Sequence, residues 1–159
     1  MSSEPSVSFR ELLTYTDYLA NRWMNYFQKH PKALNVKVGG RTGTIRNLVN
    51  HIFQVEQFFA SRLLQKDFAF SEMKSPTVED LFKLHHHAHA ELSQYVASAS
   101  DDDLKRTQNI GIATASSRKI LTQVVLHSVH HWAQVAMEVR QAKFPAEKPQ
   151  DIIMTDLMV

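Results

Sequence analysis

Two histidines in this sequence of 159 residues are spaced to bind one ion together. His127 and His131 lie four residues apart in the segment L-H-S-V-H-H-W-A-Q, which belongs to a stretch with helical apolar spacing. At about 100° per residue, side chains at this spacing lie one turn apart on nearly the same helix face. Two imidazole rings placed in this way suit one divalent metal ion. The alternative is that both are ordinary residues at the boundary of the core.

A third histidine, His51, lies in the apolar segment N-L-V-N-H-I-F-Q-V-E-Q-F-F. Its neighbours predict that the ring points into or along the core, where a lone histidine is more often a hydrogen-bonded core residue than a ligand. In combination with the first pair it would build a three-histidine site between two facing helices, with a position left open for water. Glu56 lies about 140° around the helix from His51, and we expect it to be a separate buried or interfacial acid.

The apolar stripe of the last predicted helix indicates how its polar residues are arranged. The stripe contains His131, has His127 at its edge and leaves His130 outside. Gln134 and Glu138 follow along the same edge. These two side chains are therefore candidates for the acceptors that fix the tautomers of the imidazoles.

A second histidine cluster, on the third predicted helix, competes with this site. It consists of His85, His86, His87 and His89, and the first and last of these also have the four-residue spacing on or near the apolar face. We favour the interpretation that two of the four pack at a helix interface, that two are solvated, and that the cluster binds metal only loosely.

The composition limits the chemistry further. Cysteine is absent, which excludes disulfides, thiolate ligands and a cysteine nucleophile and leaves imidazole, carboxylate and water as ligands. The formal charge of +2, without a long basic run, gives no indication of nucleic-acid binding. No apolar run approaches the ~20 residues of a membrane span, so we expect no membrane association and a cytoplasmic location.

Four amphipathic helices are predicted from apolar spacing, caps and breakers. They run from Ser8 to about Lys29, from a cap at Thr44 to about Gln65, from Pro76 and Thr77 to the run 98–103, and from a cap at Ser116 or Ser117 to about Lys143. Each apolar stripe can be buried only against the others. The predicted fold is therefore all-α, a single four-helix bundle domain over residues 1–159.

Two segments outside these helices carry further predictions. The stretch from Arg106 to Ala115, which Gly111 interrupts, is either a small extended hairpin or a loop. The tail from Pro149 to Val159 is too apolar to be free and is expected to pack on the bundle or on a second subunit. With the aromatic residues of the first helix it would form a shared surface, and we expect a homodimer.

The segments around His51 and around the His127 and His131 pair resemble the two signature segments of the DinB/YfiT-like family. Order, spacing and helix number agree over almost the whole chain, and Y-L-A-N-R-W resembles the family's first helix. The second signature usually reads H-x-x-x-H-R-G-Q, whereas Trp132 and Ala133 stand here where Arg and Gly are common. Both ligand positions are intact, but an anion or substrate contact of that Arg is not carried over.

The resemblance implies that His51, His127 and His131 ligate a divalent ion, commonly zinc or nickel, at one end of the bundle. No ligand position of the family falls on the third-helix histidines. Proteins similar to this one include thiol-dependent transferases and isomerases that use low-molecular-weight thiols. A small-molecule substrate or thiol is therefore the expected partner.

Two classes of function are compatible with these residues. The first is an enzyme, either a low-molecular-weight thiol S-transferase or a hydrolase, in which the ion lowers the pKa of a bound thiol or water. The second is a non-catalytic bundle that the ion stabilises. Structural sites are normally coordinated fully by protein, so three ligands and an open position favour the enzyme.

Overall fold

Helices make up most of the computed structural model, which describes residues 7–70 and 73–145. The helices are α1 (Phe9–Lys29), α2 (Ile45–Leu63), α3 (Val78–Ser98), the short α4 (Asp101–Lys105) and α5 (Ser117–Gln141). Two antiparallel pairs of short strands accompany them, β1 (Lys37–Val38) with β2 (Gly43–Thr44) and β3 (Thr107–Asn109) with β4 (Thr114–Ser116). The four predicted helices correspond to α1, α2, α3 and α5.

The helix starts follow from side chains that satisfy the first free amide groups. Thr44 and Ser116 accept from the amides of Asn47 and Lys119. Thr77 forms a reciprocal capping box with Asp80 at the start of α3, and Ser8 forms one with Glu11 at the start of α1. The predicted caps at Thr44 and Thr77 are confirmed, and Ser116 is the cap of the two serines considered for α5.

The segments between the helices contain more structure than expected. A 3₁₀ turn at Pro31–Asn35, the β1–β2 pair and α4 were not predicted. Between α4 and α5 the hairpin alternative is correct, since Asn109 pairs with Thr114 across a turn in which Gly111 has φ of +87°. Only glycine adopts that backbone conformation without strain.

The direction of each long helix follows from which half of it packs in which buried cluster. One buried cluster joins the later half of α1 and α5 to the first half of α2 and α3, and a second cluster joins the opposite ends. Therefore α1 and α5 run one way and α2 and α3 run the other way. The main contacts join α1 to α3 and α5, and α2 to α3 and α5. The consecutive helices α2 and α3 are therefore parallel, with the end of α2 and the start of α3 in different clusters.

Aromatic rings fill the first cluster. Trp23 of α1 stacks on Trp132 of α5 with ring centroids 6.0 Å apart, and Phe53 of α2 lies 5.8 Å from Trp132. Trp23, Tyr26 and Phe27 are all buried. The expectation that aromatic residues of the first helix form a shared surface is therefore wrong for these three, because they pack within the chain.

A charged contact crosses the interior between three helices. His85 of α3, which is 1% exposed, has its Nε2 2.9 Å from Oδ1 of Asp17 on α1 and its Nδ1 3.1 Å from Oε2 of Glu56 on α2. Burial disfavours a charge on the ring, but the hydrogen bonds to Asp17 and Glu56 outweigh it and raise the pKa of His85 to about 9. At neutral pH the ring is thus an imidazolium that donates to both carboxylates.

Two further observations concern the ends of the chain and its hydropathy. Tyr26 donates to the carbonyl oxygen of Pro145 at 2.6 Å, which ties the segment after α5 to α1. The apolar tail from Pro149 to Val159 lies outside the described residues. Among the helices that the structure describes, none combines the length and the apolar character needed to cross a membrane.

The contact at His85 predicts how stability depends on pH. Because the folded-state pKa is raised from 6.5 to about 9, the contribution of the imidazolium is complete below pH 6.5 and is lost as the pH rises through 9. We expect wild type to exceed His85→Gln in free energy of unfolding by about 3 kcal/mol at pH 6, with the difference shrinking towards pH 9. Urea unfolding across pH 6 to 10 measures it.

A matched control is His87→Gln on the same helix, because the side chain of His87 is 65% exposed and its Nε2 lies 3.8 Å from Oε1 of Glu91. Exposed ion pairs contribute little, so this variant should stay within about 1 kcal/mol of wild type at every pH. A difference between wild type and His85→Gln that stays constant from pH 6 to 10 would show that His85 contributes packing rather than charge.

Candidate metal centre

The first candidate ligand is positioned by α2. His51 lies about two turns after the Thr44 cap, and its neighbours Leu48 and Ile52 are buried in the core. The ring of His51 itself is exposed and faces α5. Of the two expected directions, into or along the core, the first is therefore wrong, since the buried face of α2 is occupied by the larger apolar side chains.

The other two candidates lie on α5, midway along its length. Ser128 and Trp132 are buried, whereas His127 and His131 are half-buried and His130 is exposed. The positions predicted for His127 and His130 are correct. His131 lies at the edge of the apolar stripe rather than inside it, because Trp132 takes the core position beside Trp23.

The structure brings the three rings together on the outer side of the α2–α5 contact. The Nε2 atoms of His51 and His127 are 3.2 Å apart. The ring centroid of His131 lies 5.2 Å from the ring centroid of His51 and 4.4 Å from that of His127. One ligand atom from each residue lies within 4.8 Å of the other two. The group is therefore on the flank of the helices, not at one end as the family resemblance implied.

These distances suit a small divalent ion. Zinc–imidazole bonds of about 2.0–2.1 Å in a tetrahedral site separate the nitrogen atoms by roughly 3.3 Å, close to the spacing of His51 and His127. The ligand atom of His131 lies within 4.8 Å of the other two, and a movement of its ring would bring it to the same spacing. An all-imidazole donor set is also the type that zinc and nickel accept.

The electrostatics of the group favour neutral rings. Burial, followed by the nearby His131 and His51, lowers the pKa of His127 to about 3. Desolvation of the ring against α5, followed by His131, also lowers the pKa of His51. Neutral imidazole is the form that ligates a metal ion. Two Nε2 atoms at 3.2 Å need either a proton or a cation between them.

One predicted supporting residue is in place and the other is not. Oε1 of Gln134 lies 3.0 Å from Nδ1 of His131. If it accepts a hydrogen bond there, the lone pair of His131 Nε2 is free for an ion. Within the described part of the chain, Glu138 makes no hydrogen bond to either imidazole of α5. The prediction that Glu138 fixes the tautomer of one of these imidazoles is therefore wrong.

The rival cluster on α3 separates as expected into two inward and two exposed rings. His85 is bonded at both ring nitrogens, His89 is half-buried, and His86 and His87 are exposed. Glu56, 2% exposed, is the separate buried acid that was predicted. Across residues 7–70 and 73–145, only the three-histidine group gathers enough close ligand atoms to hold an ion.

Asp17 is the residue that sequence reasoning missed. It holds His85 from α1, and the hydrogen bond with His85 is the main cause that lowers the pKa of Asp17. An isolated aspartate on a helix with apolar neighbours gives no sign of a partner 68 residues away. A buried histidine such as His85 does require polar partners, and that requirement is the signal that was available.

Comparison with known proteins gives a match to a family and matches to solved structures. The model of the family described as DinB matches residues 1–143. The crystal structure of a DinB-like protein of Bacillus subtilis, YjoA, aligns with a TM-score of 0.58 at 18% identity, covering 90% of this chain and 94% of that one. At this identity the likeness concerns the fold. No curated protein matches the chain.

The contact between Gln134 and His131 generates a prediction with two readouts, the first of which needs no ion. In Gln134→Leu the acceptor is lost, so the His131 ring should shift away from the tautomer that carries its proton on Nδ1. The 15N chemical shifts of the imidazole report the tautomer directly. Affinity for a divalent ion should fall by about 10–100-fold.

Gln123→Leu is the matched control, because Gln123 is an exposed glutamine on the same helix. It should leave both readouts unchanged. An unaltered His131 tautomer in Gln134→Leu would remove the supporting role assigned to Gln134.

Proposed function

The chain belongs to the DinB family, and from this membership and the three-histidine group we propose that it is a metal-dependent enzyme that activates a low-molecular-weight thiol. In this proposal His51, His127 and His131 hold one divalent ion, zinc or nickel. The reaction class is transfer of the thiol sulfur to a small electrophile.

The observation that carries the proposal is the composition of the group. Three imidazoles converge, and within the described residues no carboxylate or fourth histidine joins them. His51 is exposed, so the side of the group away from the helices is accessible. A catalytic ion typically has three protein ligands and one position for an exogenous molecule, whereas a structural ion is coordinated fully by protein.

The chain's own residues would divide the chemical tasks as follows. A divalent ion here supplies Lewis acidity, which lowers the pKa of a thiol or water in the open position. The neutral rings of His51 and His127 bind without releasing a proton of their own. In this proposal His130, which is exposed with its ring centroid 5.1 Å from that of His131, would accept the proton that the thiol loses.

Neither Glu56 nor Glu138 serves as a proton carrier in the proposal. Glu56 is buried and bonded to His85, on the side of α2 that faces the core. Glu138 makes no contact with the group within the described chain. The alternatives of a hydrolase and of a non-catalytic ion that stabilises the bundle use the same three ligands, and they differ in what occupies the open position.

The proposed function predicts a specific result with cobalt. Protein prepared without a histidine tag and loaded with Co2+ should bind about one equivalent. Addition of cysteine or glutathione should then produce a thiolate-to-cobalt charge-transfer band in the near ultraviolet. His51→Ala and His131→Ala should lose both the ion and the band, as elemental analysis and absorption spectra will show.

His87→Ala controls for the loss of a histidine, since this exposed residue is outside the group. It should retain the ion and the band. Metal that survives both ligand substitutions would sink the three-histidine site. One bound equivalent without a thiol band would reject thiol activation and leave the hydrolase or the non-catalytic role.

We also propose that α1, α2, α3 and α5 constitute a single four-helix bundle domain that acts as a homodimer. Support for the dimer comes from α5, where Leu126 is 60% exposed and Met137 is 47% exposed on one helix face. These positions are eleven residues apart, which is about three helical turns. An apolar stripe of this length is suited to a second helix.

The dimer predicts a change in mass when this stripe is made polar. Leu126→Gln combined with Met137→Gln should convert the protein to monomers in sedimentation equilibrium. Ile112→Gln removes a side chain that is 97% exposed at the β3–β4 turn, and should not change the mass. Wild-type protein that sediments as a monomer would reject the proposal.

A further inference from the structure

A cavity of about 740 Å³ lies at the end of the molecule where α1 and α5 begin. Its walls come from the first turns of α1 and α5, the last turns of α3, and α4. Arg118, at the α5 wall, precedes His127 by nine residues, which places it about 14 Å along the helix from the metal group. The cavity therefore belongs to a different part of the molecule.

The lining of the cavity is mixed, and slightly more than half of it is apolar. Phe9, Leu12, Val96 and Leu104 line it, and three of them pack on the second buried cluster beneath. The volume falls within the range of about 300–1,000 Å³ typical of small-molecule sites, which combine apolar walls with a few polar groups. A ligand of this cavity would thus have an apolar body.

Two arginines supply the polar groups. Arg10 of α1 and Arg118 of α5 both line the cavity. Within the described residues neither forms an ion pair, whereas Arg106 nearby pairs with Asp103 at 3.6 Å. Among the described residues of the lining, Asp101 is the one acid. These two cations and one anion sum to a charge of +1, which complements a single negative charge.

We propose that this cavity binds a small amphipathic carboxylic acid, with its apolar body against Leu12, Val96 and Leu104 and its carboxylate between Arg10 and Arg118. Guanidinium groups bind carboxylates by paired, charge-assisted hydrogen bonds. The site does not depend on the metal ion. The bound acid would be a second ligand of the protein, separate from the thiol of the proposed reaction.

The test uses octanoate as the probe and the full chain. Metal is first removed with a chelator, so that an ion held by the three histidines cannot bind the carboxylate. Isothermal titration should show one octanoate per chain, and the uncharged octanamide should bind at least about tenfold more weakly. Methyl resonances of Leu12, Val96 and Leu104 should shift on titration. The variant Arg10→Gln with Arg118→Gln should weaken octanoate about tenfold or more and leave octanamide unchanged.

The matched control is Lys32→Gln with Arg140→Gln, which removes two exposed cations elsewhere and produces the same net charge. It should bind octanoate as wild type does. The proposal would be overturned if both double variants lost the same affinity for octanoate, or if wild type bound octanoate and octanamide equally well. Resonance shifts confined to other regions would overturn it too. Octanoate binding that appears only after removal of residues 2–6 would assign the cavity to the chain's own N-terminal segment and overturn it as well.

Discussion

The imidazolium of His85, held between Asp17 and Glu56, ties α1, α2 and α3 together inside the core. A buried charge of this kind is stable only while both carboxylates stay within hydrogen-bond distance, because losing either one leaves an unpaired ion in a medium of low polarity. The contact therefore allows one register of the three helices. Phe53, one turn from Glu56, packs on the same ring at 4.9 Å and reaches Trp132 of α5 at 5.8 Å. The register of α2 is thus fixed from both sides close to His51.

Trp132 has the corresponding effect on α5. Its ring is fully buried between Trp23 and Phe53, so α5 cannot rotate without opening the largest aromatic contact of the core. With Trp132 and Ser128 turned inward, the helical repeat leaves His127 and His131 at the edge beside α2. An arginine at position 132, as in many members of the family, would place a charge where this structure has its core. Trp132 at this position thus fixes the orientation of α5.

Sequence reasoning recovered the features that depend on local spacing. The helices, their caps at Thr44 and Thr77 and the pairing of His127 with His131 all follow from periods of a few residues. The direction of α2 relative to α3 did not follow, because nothing within either helix indicates which way the other one runs. Asp17 was missed for the same reason. Its partner His85 is close only in the folded chain, and the outward direction of His51 likewise depends on which side of α2 the other helices cover.

The edge position of the three histidines follows from a conflict between two requirements. A ligand ring must be held firmly enough to be neutral and fixed, which favours burial, yet an exogenous thiol or water must reach the ion. Two antiparallel helices meet these requirements together when the rings lie on the outer side of their contact. His127 is desolvated by the neighbouring rings and by α5, while His51 stays exposed. His85, in the centre of the core, shows the opposite case: its ring is fixed but charged, and both of its nitrogen atoms are engaged with Asp17 and Glu56.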